Sequence, residues 1–139
     1  MLTTTTYQLT ALHKAHRAAL EPRLASLDLP YGAELLLAQL WREQPLTQVE
    51  LAGRLAVKPP SVTKVLRRLE RQGLIQRERG PDDARVWLVR LTARGVALRR
   101  EVARAWRAAE HETLAGLSHE EAAALRGLVT KTLRGRRRR

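Results

Sequence analysis

The chain has 139 residues, enough for one hydrophobic core with a few flanking helices, and its 44% hydrophobic and 29% charged residues are those of a soluble globular protein. It has no cysteine and a single methionine, Met1, which excludes disulfides, thiolate nucleophiles and thiol-based redox sensing. Lys and Arg total 26 against 14 Asp and Glu, a net charge of +12, so a polyanionic partner is to be expected.

In chain order, residues 8–27 read as a helix. Leu9, Leu12, His16, Ala19/Leu20 and Leu24 recur at helical spacing, with Pro22 expected to kink or restart it. Asp28-Leu29-Pro30 breaks the pattern. A second helix runs from about Pro30 to Arg42. Leu35, Leu36, Ala38, Leu40 and Trp41 make it apolar almost all round, so burial is expected. Thr47-Gln-Val-Glu50 has the capping-box form and opens a short helix over 47–56. Only Ala56-Val57-Lys58 separate it from a third helix, 59–72, which Pro59 and Pro60 begin. Val62, Val65/Leu66 and Leu69 point inward on that helix, and Gly73 stands where a left-handed residue ends it. Two helices joined by about three residues form a helix-turn-helix.

Leu74–Arg79 and Val86–Leu91 read as strands around the turn-forming Gly80-Pro-Asp-Asp-Ala-Arg85, giving a hairpin over 74–91 that serves as a wing. Thr92 is an N-cap for a long helix from 93 to about 114, with Val96, Leu98, Val102, Ala105, Trp106, Ala109 and Leu114 apolar. Ser118-x-x-Glu121 is a second capping box and opens a last helix through about Leu133. The arginine run Arg136–Arg139 reads as a disordered basic tail that adds nonspecific phosphate attraction. No apolar run approaches the roughly 18 residues that span a bilayer. Met1–Thr6 lacks a basic region followed by an apolar one, so the expected location is cytoplasmic.

Five of the last six residues are arginine, yet the charge is not confined to the tail. Residues 47–95 carry eleven Lys/Arg against five Asp/Glu. With its apolar positions turned inward, the third helix leaves Ser61, Thr63, Lys64, Arg67, Arg68 and Arg71 outside. Ser, Thr and Arg can read base edges, and Lys64 and the later arginines suit phosphates. A solvated, arginine-rich surface is the bland alternative for any one of these residues. The helix-turn-helix spacing followed directly by a wing favours duplex DNA.

Leu-Thr-Gln-Val-Glu-Leu-Ala (46–52), Pro-Ser-Val-Thr-Lys-Val-Leu-Arg-Arg-Leu-Glu-Arg-Gln-Gly-Leu-Ile-Gln-Arg (60–77), Asp-Asp-Ala-Arg (82–85) and Leu-Thr-Ala-Arg-Gly (91–95) together resemble the MarR family of regulators. The most specific element is Asp83-x-Arg85 followed six residues later by Leu91-Thr92-x-x-Gly95. Two positions depart from the pattern: Ala56 where a glycine is common, and Lys58 where a serine often caps the recognition helix.

The resemblance implies a mainly α fold with a small β-hairpin wing (α+β) over 1–139. A winged helix-turn-helix over 30–95 would be flanked by dimerisation helices over 1–29 and 96–134, with a basic tail at 135–139. It implies a transcriptional regulator, a repressor, that binds a pseudo-palindromic operator as a homodimer and is released by a small-molecule effector. The DNA-contacting set is then Gln48, Lys58, Ser61, Thr63, Lys64, Arg67, Arg68, Arg79, Asp83 and Arg85. Arg85 resembles the family's minor-groove wing arginine, and Asp83 the residue that orients it. Relatives bind small, often phenolic anions in the cleft between the dimer helices and the winged helix, where His16, Arg17, Tyr31 and Trp41 are candidates to line it. Trp41 and Trp106 otherwise read as core or dimer packing.

No enzyme is expected, since there is no Gly-rich phosphate loop, activated nucleophile or carboxylate pair in a cleft. No cofactor is expected. His13 and His16, and His111 between Glu110 and Glu112, lack an assisting cysteine and are not read as a metal site. The alternative function is a winged-helix module that binds protein or RNA without operator specificity. Such a module would show apolar residues on the outer face of 60–71, where Ser, Thr, Lys and Arg stand instead.

Overall fold

In the computed structural model, which describes residues 1–137, Thr4 caps the first helix, α1 (Thr5–Ala25), by accepting from the Tyr7 amide. The helix passes through Pro22 without the expected restart. Pro22 lies in the last turn, where it removes only the amide that would bond the Ala18 carbonyl, and Ala19, Leu20 and Leu24 around it are buried. Leu9 and Leu12 of the expected apolar stripe are exposed instead. α1 packs against α6 (Arg99–Thr113), and Arg23 ties the pair with an ion pair of 2.8 Å to Glu112.

α2 (Ala33–Arg42) starts three residues later than Pro30 because Gly32, with φ 95°, forms its left-handed N-cap. Leu36, Leu37 and Leu40 enter the core, whereas Leu35 is exposed, so the helix is not buried all round. Glu34 is 2% exposed, a buried carboxylate that its apolar neighbours did not foretell. Its Oε2 accepts from the Gly32 amide at 2.8 Å, giving the open N-terminus of α2 an acceptor that glycine cannot supply. Burial still pushes the Glu34 carboxyl above the usual range, more than the amide hydrogen bonds lower it.

The capping box forms as read. Glu50 N donates to Thr47 Oγ1 at 3.0 Å and Thr47 N donates to Glu50 Oε2 at 2.7 Å, opening α3 (Gln48–Leu55). Ala56 ends α3 at φ 53°, the left-handed turn position that glycine would occupy at less strain. α4 (Pro59–Arg71) follows, with Val62, Leu66 and Leu69 buried, and Gly73 at φ 71° turns the chain out of it.

β2 (Ile75–Arg79) and β3 (Trp87–Leu91) form the wing within a residue of the expected bounds. A strand absent from the sequence reading, β1 (Leu46–Thr47), adds to the far side of β3, so the sheet is antiparallel in the order β1-β3-β2. Two residues carry no period of their own; the pairing of Leu46 with Val89 is what makes them a strand.

The long helix expected from 93 is interrupted at Leu98, into α5 (Ala93–Ala97) and α6. The interruption falls where the Gly95 carbonyl, the partner of the Arg99 amide in an unbroken helix, accepts the Trp41 indole N–H at 2.9 Å. Gly95 also lies under the start of the wing. A Cβ there would sit 2.1 Å from the Leu74 carbonyl oxygen, so only glycine fits. Ser118 and Glu121 form the second capping box and open α7 (His119–Arg137). α7 runs past Leu133, so Arg136 and Arg137 are helical and not part of a disordered tail; the rest of that tail, Arg138 and Arg139, lies outside the described residues. No residue of α7 is buried. Val96, expected inside, is also exposed. Among the described residues no helix is long and apolar enough to cross a membrane.

Candidate nucleic-acid interface

The face of α4 opposite Val62, Leu66 and Leu69 presents Ser61, Lys64, Arg67 and Arg71 to solvent. Lys64, Arg67 and Arg71 take part in no ion pair among the described residues. Lys58, exposed at the N-cap, contributes no side-chain capping bond, in keeping with the departure from serine there. Arg68 is turned away from this face, 3.6 Å from Asp28. The same Asp28 receives Gln72 Nε2 at 3.0 Å, so the end of α4 is fastened to the turn after α1.

Gln48, half-buried, and Arg79, exposed, are both engaged by partners within the module. Gln48 donates to Thr63 Oγ1 at 3.4 Å and accepts from Arg77 Nη1 at 3.3 Å. Arg79 stacks on Trp87, its guanidinium carbon 3.9 Å from the ring centroid, and Nη1 donates to the Ala84 carbonyl at 2.9 Å. Both can meet a ligand only with the atoms these bonds leave over.

Arg77, Glu70 and Trp87 escaped the sequence reading. Arg77 Nε is 2.6 Å from Glu70 Oε2 and its guanidinium carbon is 5.3 Å from the Trp87 ring. Its side chain is only 17% exposed, so this pair is less screened than the others on the surface. Period-two alternation places Arg77 and Arg79 on one face of β2, and the register sets Arg79 opposite Trp87, a signal the sequence does hold once the strands are paired.

At the wing tip, Asp83 grips Arg85 three ways. Oδ1 accepts from the Arg85 amide at 3.0 Å and from Nε at 3.1 Å, and Oδ2 accepts from Nη2 at 3.2 Å. The side-chain and amide bonds from Arg85 hold the Asp83 carboxyl below the usual carboxylate range. The Arg85 side chain is 91% exposed, so the guanidinium is aimed without being covered.

Of the four cleft candidates, Arg17 and Tyr31 are in contact. Arg17 lies over Tyr31, 4.5 Å from its centroid, and pairs with Glu21 at 2.9 Å, whose hydrogen bond keeps the Glu21 carboxyl below its usual range. His16 Nδ1 is 3.2 Å from Thr113 Oγ1, on the side facing α6. Trp41 is committed to Gly95. His13, edge-on to Tyr31 at 6.4 Å, joins Arg17 there and was not among the four. Among the described residues no group of three or more His, Asp or Glu is arranged to hold a metal ion.

Residues 33–87 match the model of the MarR family. The organic hydroperoxide resistance transcriptional regulator of Bacillus subtilis (strain 168) is 35% identical over 79 residues, 57% of this chain and 54% of the relative. The chain thus spans about half the length of the curated relative that it matches. Likeness in structure is more extensive. A probable transcriptional regulator from Pseudomonas aeruginosa superimposes with a TM-score of 0.85 at 29% identity, over 94% of this chain and 97% of that one. The S. aureus MepR–DNA complex gives 0.81 at 27% identity, over 95% and 98%.

Proposed function

We propose that this chain, whose residues 33–87 match the MarR family model, is a member of that family and a sequence-specific DNA-binding transcriptional regulator. We read it as a repressor that binds a pseudo-palindromic operator as a homodimer and leaves it on binding a small-molecule effector. The observation that carries this reading is the outer face of α4, where Ser61, Lys64, Arg67 and Arg71 stand exposed and the cations have no acidic partner among the described residues. A protein-docking face would carry apolar residues there. The relative MepR is seen in complex with DNA.

A helix fits the major groove, so Ser61, Thr63 and Lys64 meet base edges and phosphates near the N-terminus of α4. The hairpin is too thin to share that groove, and Arg85, aimed by Asp83, enters the adjacent minor groove, whose narrow A·T-rich stretches concentrate negative potential. Dimerisation through α1 and α7 would cover Leu9, Leu12, Leu128, Val129 and Leu133, all exposed in the single chain. A two-fold pairing would set the two α4 helices about one DNA turn, roughly 34 Å, apart. Arg17 over Tyr31 offers a cation beside a ring, which suits an anionic aromatic effector. The name of the Bacillus relative refers to organic hydroperoxide resistance. With no cysteine, this chain would have to respond by binding a ligand, not by oxidation of a thiol.

The test is selection of a preferred duplex from a randomised library, followed by titration at several salt concentrations. Affinity for the selected site should fall on the order of a thousandfold between about 50 and about 200 mM salt. A preference over random duplex below about tenfold would replace the regulator with a general DNA coat.

A further inference from the structure

Thr63 is half-buried beside the exposed Ser61 and Lys64 of α4, and its hydroxyl is not free to choose a partner. The polarity of every bond around it follows from two groups that have only one role each. Arg77 can donate but never accept, so the Gln48 amide must turn its oxygen toward Arg77 Nη1, 3.3 Å away. That leaves Gln48 Nε2 facing Thr63 Oγ1 at 3.4 Å, where the nitrogen donates and the hydroxyl oxygen accepts. At the other end the Pro59 carbonyl can only accept, and it takes the single Thr63 proton at 3.1 Å. Glu70 completes the relay by holding Arg77 Nε at 2.6 Å. Arg77 also lies against Trp87, so the chain Glu70–Arg77–Gln48–Thr63 joins wing and recognition helix.

A threonine in this state has no donor left for a base and one lone pair at most. Beside that lone pair, the recognition group it has left is the methyl. In the major groove the matching feature is the C5-methyl of thymine, the one apolar group that a base edge presents there. Resting on the DNA-binding reading above, we infer that Thr63 is a specificity-determining residue that selects a pyrimidine C5-methyl by apolar contact, with Gln48 and Arg77 as positioning residues that keep its hydroxyl turned away.

The experiment uses the full chain and the duplex selected by the wild type, with each thymine replaced singly by uracil, which removes only the methyl. Wild type should lose about fourfold in affinity at one thymine of each half-site, the loss of one buried methyl contact. Thr63→Val, which keeps the methyl and loses the hydroxyl, should show the same uracil penalty. Thr63→Ser, which keeps the hydroxyl and loses that methyl, should bind thymine and uracil alike at that position. Circular dichroism and the dimer mass of both variants check that the fold is retained. A uracil penalty that survives in Thr63→Ser, vanishes in Thr63→Val, or is absent from the wild type at every position overturns the inference while leaving the regulator intact. Failure of the wild type to prefer any duplex overturns both.

Discussion

The winged helix and the outer helices treat their apolar residues in opposite ways. From Leu46 to Leu91 most apolar residues are satisfied within the chain: Leu51, Val62, Leu66, Leu69, Ile75 and Val89 are buried, and Val49 and Val57 are the large apolar residues left exposed there. α7 has no buried residue, and Leu128 is 64% exposed with Val129 and Leu133 beside it. The N-terminal half of α1 is similar, with Leu9 and Leu12 outside. One region is complete as a monomer, and the other carries apolar surface that a single chain does not cover. Folding and pairing are therefore separable, and variants can break either one.

The joint between the regions should be the most fragile place. Gly95→Ala puts a methyl 2.1 Å from the Leu74 carbonyl oxygen and 3.2 Å from the Leu91 side chain, so about 3 kcal/mol or more of stability should be lost. Urea unfolding measures it, and an unchanged midpoint would mean that α5 and the wing are not pressed together as described. Next in size is pairing. Sedimentation at micromolar concentration should give about twice the 15.7 kDa chain mass. Leu128→Glu with Leu133→Glu should yield a folded monomer whose operator affinity falls about a hundredfold or more, since each half-site would then be bound alone. A wild-type monomer would leave the exposed faces of α1 and α7 without the occupant proposed for them.

Within the complete region, Arg85→Ala should weaken operator binding about tenfold or more and flatten the preference for A·T pairs at the outer ends of the site. The variant's stability should be unchanged, because the side chain is almost wholly exposed. Equal binding of every library sequence by variant and wild type would remove the wing from the interface. The smallest effect concerns Glu34. Its carboxyl is raised by burial, so the folded state holds the proton more tightly than the unfolded chain does. The protonated form therefore stabilises the fold in acid, and that contribution is lost as pH rises through the raised value. Urea midpoints of wild type should fall relative to those of Glu34→Gln as pH rises above the usual carboxylate range. Parallel profiles would show that the carboxyl titrates normally.

What could be read early is local in origin. Thr47 with Glu50, Ser118 with Glu121, Thr92 and Gly73 act on amides and carbonyls within a few residues, and all of them end or begin helices where the spacing said they would. The outward face of α4 followed from helical periodicity once Val62, Leu66 and Leu69 were taken as core. The misses share the opposite property. β1 exists through Val89, more than forty residues on, and the break at Leu98 coincides with an indole that arrives from Trp41.

The sequence by itself determined the helix-turn-helix, the wing and the basic outer face, because caps, turns and periodicity act over distances shorter than one element. Tertiary structure alone decided which polar atoms remain available to a ligand. Gln48, Thr63 and Arg77 come from α3, α4 and β2, and each is an ordinary surface residue in its own element. Only when the three elements pack do donor and acceptor roles propagate from Arg77 to Thr63, because a hydrogen bond assigns its polarity to both partners at once.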